Sequence, residues 1–394
     1  MLIQIILFIS LGILAGILTG LIPGIHINLL GIFILSLYSK YLYSINTIYF
    51  IVFISSMAIT HTFIDFIPSI FLGCPDTDTE LSILPGHELL KKGKAYEAIL
   101  LTAYGSLAAI FILILILIPS ILLIKNTYEL IKNLIPYILI TASFLLLFLE
   151  KKRFTALFVF GITGILGTLV LNINLNQPLL PLLTGLFGSS AIILSIKNKT
   201  KIPKQIISKP KTKLLKPLIG ALIASPLCSF FPGLGSGQAA IIGNLISRTN
   251  KKTFLILLGA TNTLVMGFSF ISLYAISKTR TGAAILIQEI TKNLNLPTLI
   301  LIIITITLSG IISFFIVKII SKLIALKITK INYTIISYVT LSILIFIVFL
   351  ISGFLGIFIL LTSTLTGIYC ISLDVKRTNM MGCLLIPIIL LYIF

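Results

Sequence analysis

The chain has 394 residues, 58% hydrophobic and only 10% charged, and a formal net charge of +19. So much apolar surface excludes a soluble domain, and in a lipid-solvated chain the excess of Lys and Arg reports topology and anionic headgroups rather than a nucleic-acid partner. The four cysteines, Cys74, Cys228, Cys370 and Cys383, lack metal-ligand spacing and read as small hydrophobes.

In chain order, Leu2 to Ile22 is an apolar helix that runs into Pro23-Gly24 with no small-residue cleavage site, so no cleavable leader is expected. His26 to Tyr38 is too short to cross a bilayer, which takes roughly 20 apolar residues. The two pieces therefore read as a hairpin. Ile45 to Leu72 is the next span, interrupted by His61 and Asp65, and the acidic stretch Cys74 to Ala98 follows it. Further spans are expected at Ala98 to Ile124, Tyr128 to Leu149, Phe154 to Leu171 and Leu179 to Ile196. Lys197 to Lys216, rich in lysine and free of acids, reads as a solvated cytoplasmic linker compatible with lipid headgroups. Beyond it Pro217 to Phe231 and Ser236 to Ile246 form a second broken pair around FFPGLGSGQAA. Spans at Thr253 to Ile276, Pro297 to Ile320, Tyr333 to Ser352 and Phe354 to Leu373 follow, and Met381 to Phe394 closes the chain.

Placing Lys151, Lys152 and Arg153 in the cytoplasm puts most of the basic residues there too, provided that both Pro-Gly elements are re-entrant hairpins. The first then enters from outside and the second from inside. An internal repeat agrees with this: Pro23-Gly24 pairs with Pro232-Gly233, THTF (Thr60 to Phe63) with TNTL (Thr261 to Leu264), and KKGKAYEAIL (Lys91 to Leu100) with SKTRTGAAIL (Ser277 to Leu286). The expected architecture is an all-α polytopic membrane protein with two inverted-topology repeats, residues 1–196 and 217–394, joined by the basic segment 197–216. Each repeat holds one Pro-Gly hairpin and about five transmembrane helices, with ligands between the repeats near the midplane.

A helix broken at membrane depth frees backbone groups that need partners, so such breaks line protected cavities. PGLGSGQAA offers N–H groups at a helix start, where glycine permits close approach and the helix dipole favours an anion. Gly233, Gly235, Ser236, Gly237 and Gln238, with Gly24, His26 and Asn28 in the first copy, are the candidate binding residues for a carboxylate or other small oxyanion. Asp65 is the one acid deep inside an apolar run, and such a carboxylate costs about 2.5 kcal/mol or more at the bilayer centre unless partnered. His61 lies at i−4 on the same face. These two, with oxygens from Thr60, Thr62, Thr261, Asn262 and Thr263, suit a proton or a monovalent cation such as sodium; the alternative is a structural His-Asp pair. No other cofactor is expected. Asp76, Asp78, Glu80, His87 and Glu88 do not follow the calcium-loop register and read as a solvated loop. Hydrolase signatures are absent, so no enzyme is expected.

PGLGSGQAA after an apolar helix, its earlier Pro-Gly copy and KKGKAYEAI resemble the large permease subunit of tripartite tricarboxylate transporters, specifically a shorter archaeal branch. The resemblance runs from about Gly12 to Leu286. It implies a secondary transporter in the cell membrane that carries organic di- or tricarboxylates on a cation gradient, served by an extracytoplasmic binding protein and a small membrane subunit. It also implies substrate contacts at Gly233, Gly235, Ser236, Gly237 and Gln238, with Pro23 and Gly24 as counterparts. The first copy reads PGIHINLLG where that family has further Gly, Pro and Thr residues. From the residues alone, a translocase of lipid-linked phosphate and a non-transporting membrane scaffold or enzyme stay open beside the permease.

Overall fold

A computed structural model describes residues 2–22, 46–73, 79–148, 150–197, 203–230, 235–291, 294–328 and 333–393. The described residues are predominantly helical, with no strand among them. The helices are α1 Leu2–Leu21, α2 Thr47–Ile64, α3 Phe66–Leu72, α4 Ile83–Lys91, α5 Ala95–Leu115, α6 Leu117–Lys132, α7 Ile135–Phe148, α8 Arg153–Leu171 and α9 Leu179–Leu183. They continue as α10 Ser190–Lys197, α11 Leu215–Phe230, α12 Ser236–Ser247, α13 Lys251–Ile276, α14 Gly282–Thr291, α15 Leu296–Lys327, α16 Tyr333–Ser372 and α17 Gly382–Ile393. Among the described residues seven helical stretches are long and apolar enough to cross a membrane: α1, α2 with α3, α5, α8, α13, α15 and most of α16. The chain is a multi-pass membrane protein.

Two compact units divide it, and each draws on both halves of the sequence: residues 1–67, 99–130 and 210–321 form the first, and 68–98, 131–209 and 322–394 the second. In the first unit α1 lies on α2 through Gly12, Gly16 and Gly20. A Cβ at Gly12 would sit 2.5 Å from Phe53 O, one at Gly16 2.6 Å from Met57 O, and one at Gly20 2.7 Å from Ile64 Cβ. Glycine every fourth residue lets two apolar helices touch along their backbones, which is how helices associate where lipid removes the hydrophobic drive. Gly105 of α5 and Gly259 of α13 meet in the same way, each facing the other helix's carbonyls, and Ser106 Oγ donates to Gly259 O at 2.9 Å. α11 and α12 lie antiparallel: Gly220 near the start of one faces Gly243 O near the end of the other, and a Cβ on Gly243 would be 2.8 Å from Gly220 O.

In the second unit α17 packs on α8 through Gly167 against Cys383 O and Gly382 against Phe160 O. Ile192, Leu344, Leu180, Val348 and Leu360 supply apolar contacts of α9 and α10 with α16. α16 breaks at Gly353, whose φ of +63° and ψ of −160° leave the helical region, next to Ser352, which donates to Asn176 O at 2.8 Å. This is where the sequence divides Tyr333 to Ser352 from Phe354 to Leu373.

Three sequence expectations change. The Ala98 to Ile124 span is interrupted at Ile116, because Pro119 in the first turn of α6 has no N–H to offer Leu115 O. The acidic stretch is not simply a solvated loop: Glu80 and Ser82 are buried, Ser69 and Thr79 hydroxyls meet at 2.5 Å, Ser82 donates to Thr79 O at 2.7 Å, and 83–91 is helical. The basic linker is tied down at Gln205, which is buried and accepts from Ala95 N–H at 3.0 Å while donating to Leu90 O at 3.1 Å. Ile206 N–H adds a bond to Gly93 O at 2.7 Å, and Gly93, at φ +73°, leaves room for Lys204 O.

Candidate functional site

α2 and α13 are buried on nearly all sides, as helices apolar all round should be. Their few polar residues therefore have to find partners within the protein. In the first unit those residues pair off between neighbouring helices. Asn262 Nδ2 donates to Asp65 Oδ2 at 2.8 Å, and Thr62 and Thr263 Oγ1 lie 3.2 Å apart. Thr62 spends its own proton on Ile59 O, so Thr263 is the donor between them. Asp65, immediately after α2, keeps helical dihedrals, and its N–H bonds His61 O at 3.0 Å.

His61 Nδ1 is 3.0 Å from Thr19 Oγ1, and Thr19 donates to Gly16 O. The histidine therefore carries a proton on Nδ1, and Nε2 is the acceptor in the neutral ring. On the other side of α2, Ser313 Oγ donates to Thr60 Oγ1 at 2.9 Å, and Ser309 Oγ lies 2.9 Å from Ser56 Oγ. Ser56 in turn donates to Ile9 O. Thr261 returns its hydroxyl to Leu258 O at 3.0 Å. Thr19, Thr60, His61, Thr62, Asp65, Thr261, Asn262, Thr263, Ser309 and Ser313 are all less than 5% exposed. One carboxylate among neutral hydroxyls, an amide and an imidazole can hold a proton or a single-charge cation. Among the described residues no three His, Cys, Asp or Glu side chains gather as a metal centre would require.

The second feature of this unit is the start of α12. Gly235 is its N-cap in extended conformation, and Gly235 N–H donates to Gln238 Oε1 at 2.7 Å. Gln238 is thus committed in part to capping the helix, with only its Nε2 left as a donor. The guanidinium of Arg280 lies over this turn. A Cβ at position 235 would be 2.9 Å from Arg280 Nη2 and 3.2 Å from Nη1, so the guanidinium lies directly against the bare glycine. Nη1 also makes a long contact, 3.5 Å, to Cys228 O near the end of α11. A helix start and a guanidinium facing one spot favour negative charge there. Ser269 of α13 donates to Ser229 O at 3.0 Å, and it lies seven residues, or about 10 Å of helix rise, beyond Asn262. Ser236, Gly237 and Gln238 are buried in this first turn. Gly24, His26, Asn28 and Gly233 lie outside the described residues.

Compared with known proteins, the chain matches a family model described as Tripartite tricarboxylate transporter TctA family over residues 6–382. The chain belongs to the TctA family. It is similar, at 33% identity across 98% of its own length and 99% of the relative's, to an uncharacterized protein of Methanocaldococcus jannaschii. No solved structure matches. TctA membership makes this a permease of the tricarboxylate-transporter type, not an enzyme.

Within this TctA chain, sequence reasoning found α2 and α13 and missed what faces them. Thr305, Ser309 and Ser313 recur every fourth residue in α15, as Ser56 and Thr60 do in α2, and that shared period was the available signal. Arg280 had one too: in the internal repeat it is the counterpart of Lys94.

Proposed function

We propose that this TctA chain moves a small organic anion, a di- or tricarboxylate, across the cell membrane by alternating access coupled to a sodium or proton gradient. The anion sits at the α12 start, held by Arg280, Ser236 and the backbone N–H groups of the first turn. The cation is held by Asp65 with Thr60, Thr62, His61, Thr261, Asn262 and Thr263. The duplicated unit comprises residues 1–196 and 217–394, inverted about an axis in the membrane plane, with 197–216 between them. An extracytoplasmic binding protein delivers the substrate and a small membrane subunit completes the assembly.

The observation that carries this reading is the contact of Thr62 with Thr263, which are counterparts in the THTF and TNTL repeats. A two-fold axis passing between two repeats brings equivalent residues into contact, as in an isologous interface. The surrounding helices support the same relation. α1 packs on α2 as α11 packs on α13, and α14 packs on α2 as its counterpart α5 packs on α13. The re-entrant hairpin is supported by the antiparallel α11 and α12, whose 16 and 12 residues span only about 24 and 18 Å against a hydrocarbon core of about 30 Å.

A thermal-shift screen of purified protein tests the substrate class, using organic acids, inorganic phosphate and lipid phosphates, each with and without sodium. A di- or tricarboxylate at one hundred times its dissociation constant should stabilise the protein by about 2.7 kcal/mol, against little effect from the others. Stabilisation by lipid phosphates alone would contradict the reading.

A further inference from the structure

Where α7 gives way to α8, in the second unit, the chain leaves an open cavity of about 710 Å³ lined by Phe148 and by residues 150–155. α8 is one of the helices long and apolar enough to cross a membrane. Its first turn, and the cavity with it, therefore lies at the level where hydrocarbon meets water.

The charges of this turn do not balance. Lys152 Nζ lies 3.2 Å from Asp374 Oδ2, and Lys376 Nζ lies 3.4 Å from Glu150 Oε2, so both acids are already matched. Lys151 and Arg153 are left over, with no carboxylate partner among the described residues. Arg153 is nevertheless held in place: its Nε donates to Phe148 O at 3.1 Å, and its guanidinium carbon sits 4.1 Å over the Phe148 ring. That arrangement leaves the two Nη groups as donors still to be used. Lys152, the N-cap of α8, gives the helix no side-chain hydrogen bond, and the dipole at this end adds to the preference for negative charge.

The surroundings decide what kind of anion fits. Phe154 in the first turn is 90% exposed, and Phe158, Ile165 and Leu169, also exposed, continue an apolar stripe along the same face of α8. From α7, Phe144 and Phe148 are exposed and stack with their rings 5.9 Å apart. A small soluble anion has no use for these apolar walls. A ligand with a negative head and apolar tails satisfies both the spare cations and the exposed rings.

We propose that this cavity binds one acidic membrane phospholipid, whose phosphate takes the Nη groups of Arg153 and the ammonium of Lys151 while its acyl chains lie along Phe154 and Phe158. This differs from the diffuse attraction of anionic headgroups to every basic loop: one lipid is held in one place by two named cations.

Native mass spectrometry of the full chain in detergent, titrated with phosphatidylglycerol in one arm and phosphatidylcholine in the other, tests this. One phosphatidylglycerol should stay bound per chain at concentrations where phosphatidylcholine, whose phosphate is neutralised by its own choline, does not. Lys151→Gln and Arg153→Gln should each weaken that binding about fivefold, and the two together about 30-fold. The Lys151 ammonium has no partner to lose, so Lys151→Gln carries the test if Arg153→Gln fails to fold. Lys211→Gln with Lys213→Gln removes as much charge from the exposed basic segment and should leave the binding unchanged. Inorganic phosphate should not displace the lipid, since it has nothing to lay against the apolar walls. Equal retention of the two lipids, displacement by inorganic phosphate, unchanged affinity in Lys151→Gln, or an equal loss in the Lys211, Lys213 variant would overturn the proposal.

Discussion

Asp65→Asn is expected to abolish gradient-driven uptake in proteoliposomes while the protein still inserts and folds. The substitution preserves shape and leaves an oxygen to accept from Asn262 Nδ2, now 2.8 Å from the carboxylate, so packing between α2 and α13 should hold. What disappears is the charge. Asp65 is 2% exposed, and an acid at such depth is a functional candidate by default. Losing one charge-assisted contact costs roughly 1.5–3 kcal/mol, or about 10- to 150-fold in affinity for a bound cation. The readout is initial uptake against sodium concentration and against pH in both proteins. Unchanged cation dependence in Asp65→Asn would remove Asp65 from the mechanism.

Arg280→Gln should raise the KM for the anion by about 10- to 150-fold, since it removes a charged, two-pronged donor from the α12 start. Binding energy lost equally from ground and transition states appears in KM and spares the maximal rate. Arg280→Lys should recover part of the loss, keeping the charge without the fork. Gly235, 2.9 Å from Nη2 at its absent Cβ position, stays small in both variants, so no clash confuses the comparison. A KM that does not move in Arg280→Gln would place the substrate elsewhere.

Much of this fold was legible because lipid imposes long apolar runs, and their interruptions stand out against that background. Ser236 as a helix start and the division at Gly353 both follow from where glycine, proline and polar residues fall. The pairing of THTF with TNTL placed two helices in correspondence, and the contact of Thr62 with Thr263 is its physical counterpart. Partners set by non-local approach were not legible. Ser309 returns its hydroxyl to Thr305 O within its own helix, and a serine satisfied locally gives no sign in sequence that it also faces Ser56. Arg280 reads as one more loop charge until the chain brings it over Gly235. Gln205 looks like any polar linker residue, since only the fold supplies the Leu90 carbonyl and Ala95 amide that hold it.

The central claim is that counterpart positions of the two repeats meet at the moving heart of the transporter. Its most direct test is a Thr62→Cys, Thr263→Cys pair in a protein whose four native cysteines are replaced by alanine. With hydroxyls 3.2 Å apart, the two sulfurs should oxidise to a disulfide within one chain, stop carboxylate uptake, and release it again on reduction. A disulfide that forms without slowing uptake, or a pair that stays reduced under oxidant in folded protein, would contradict the account.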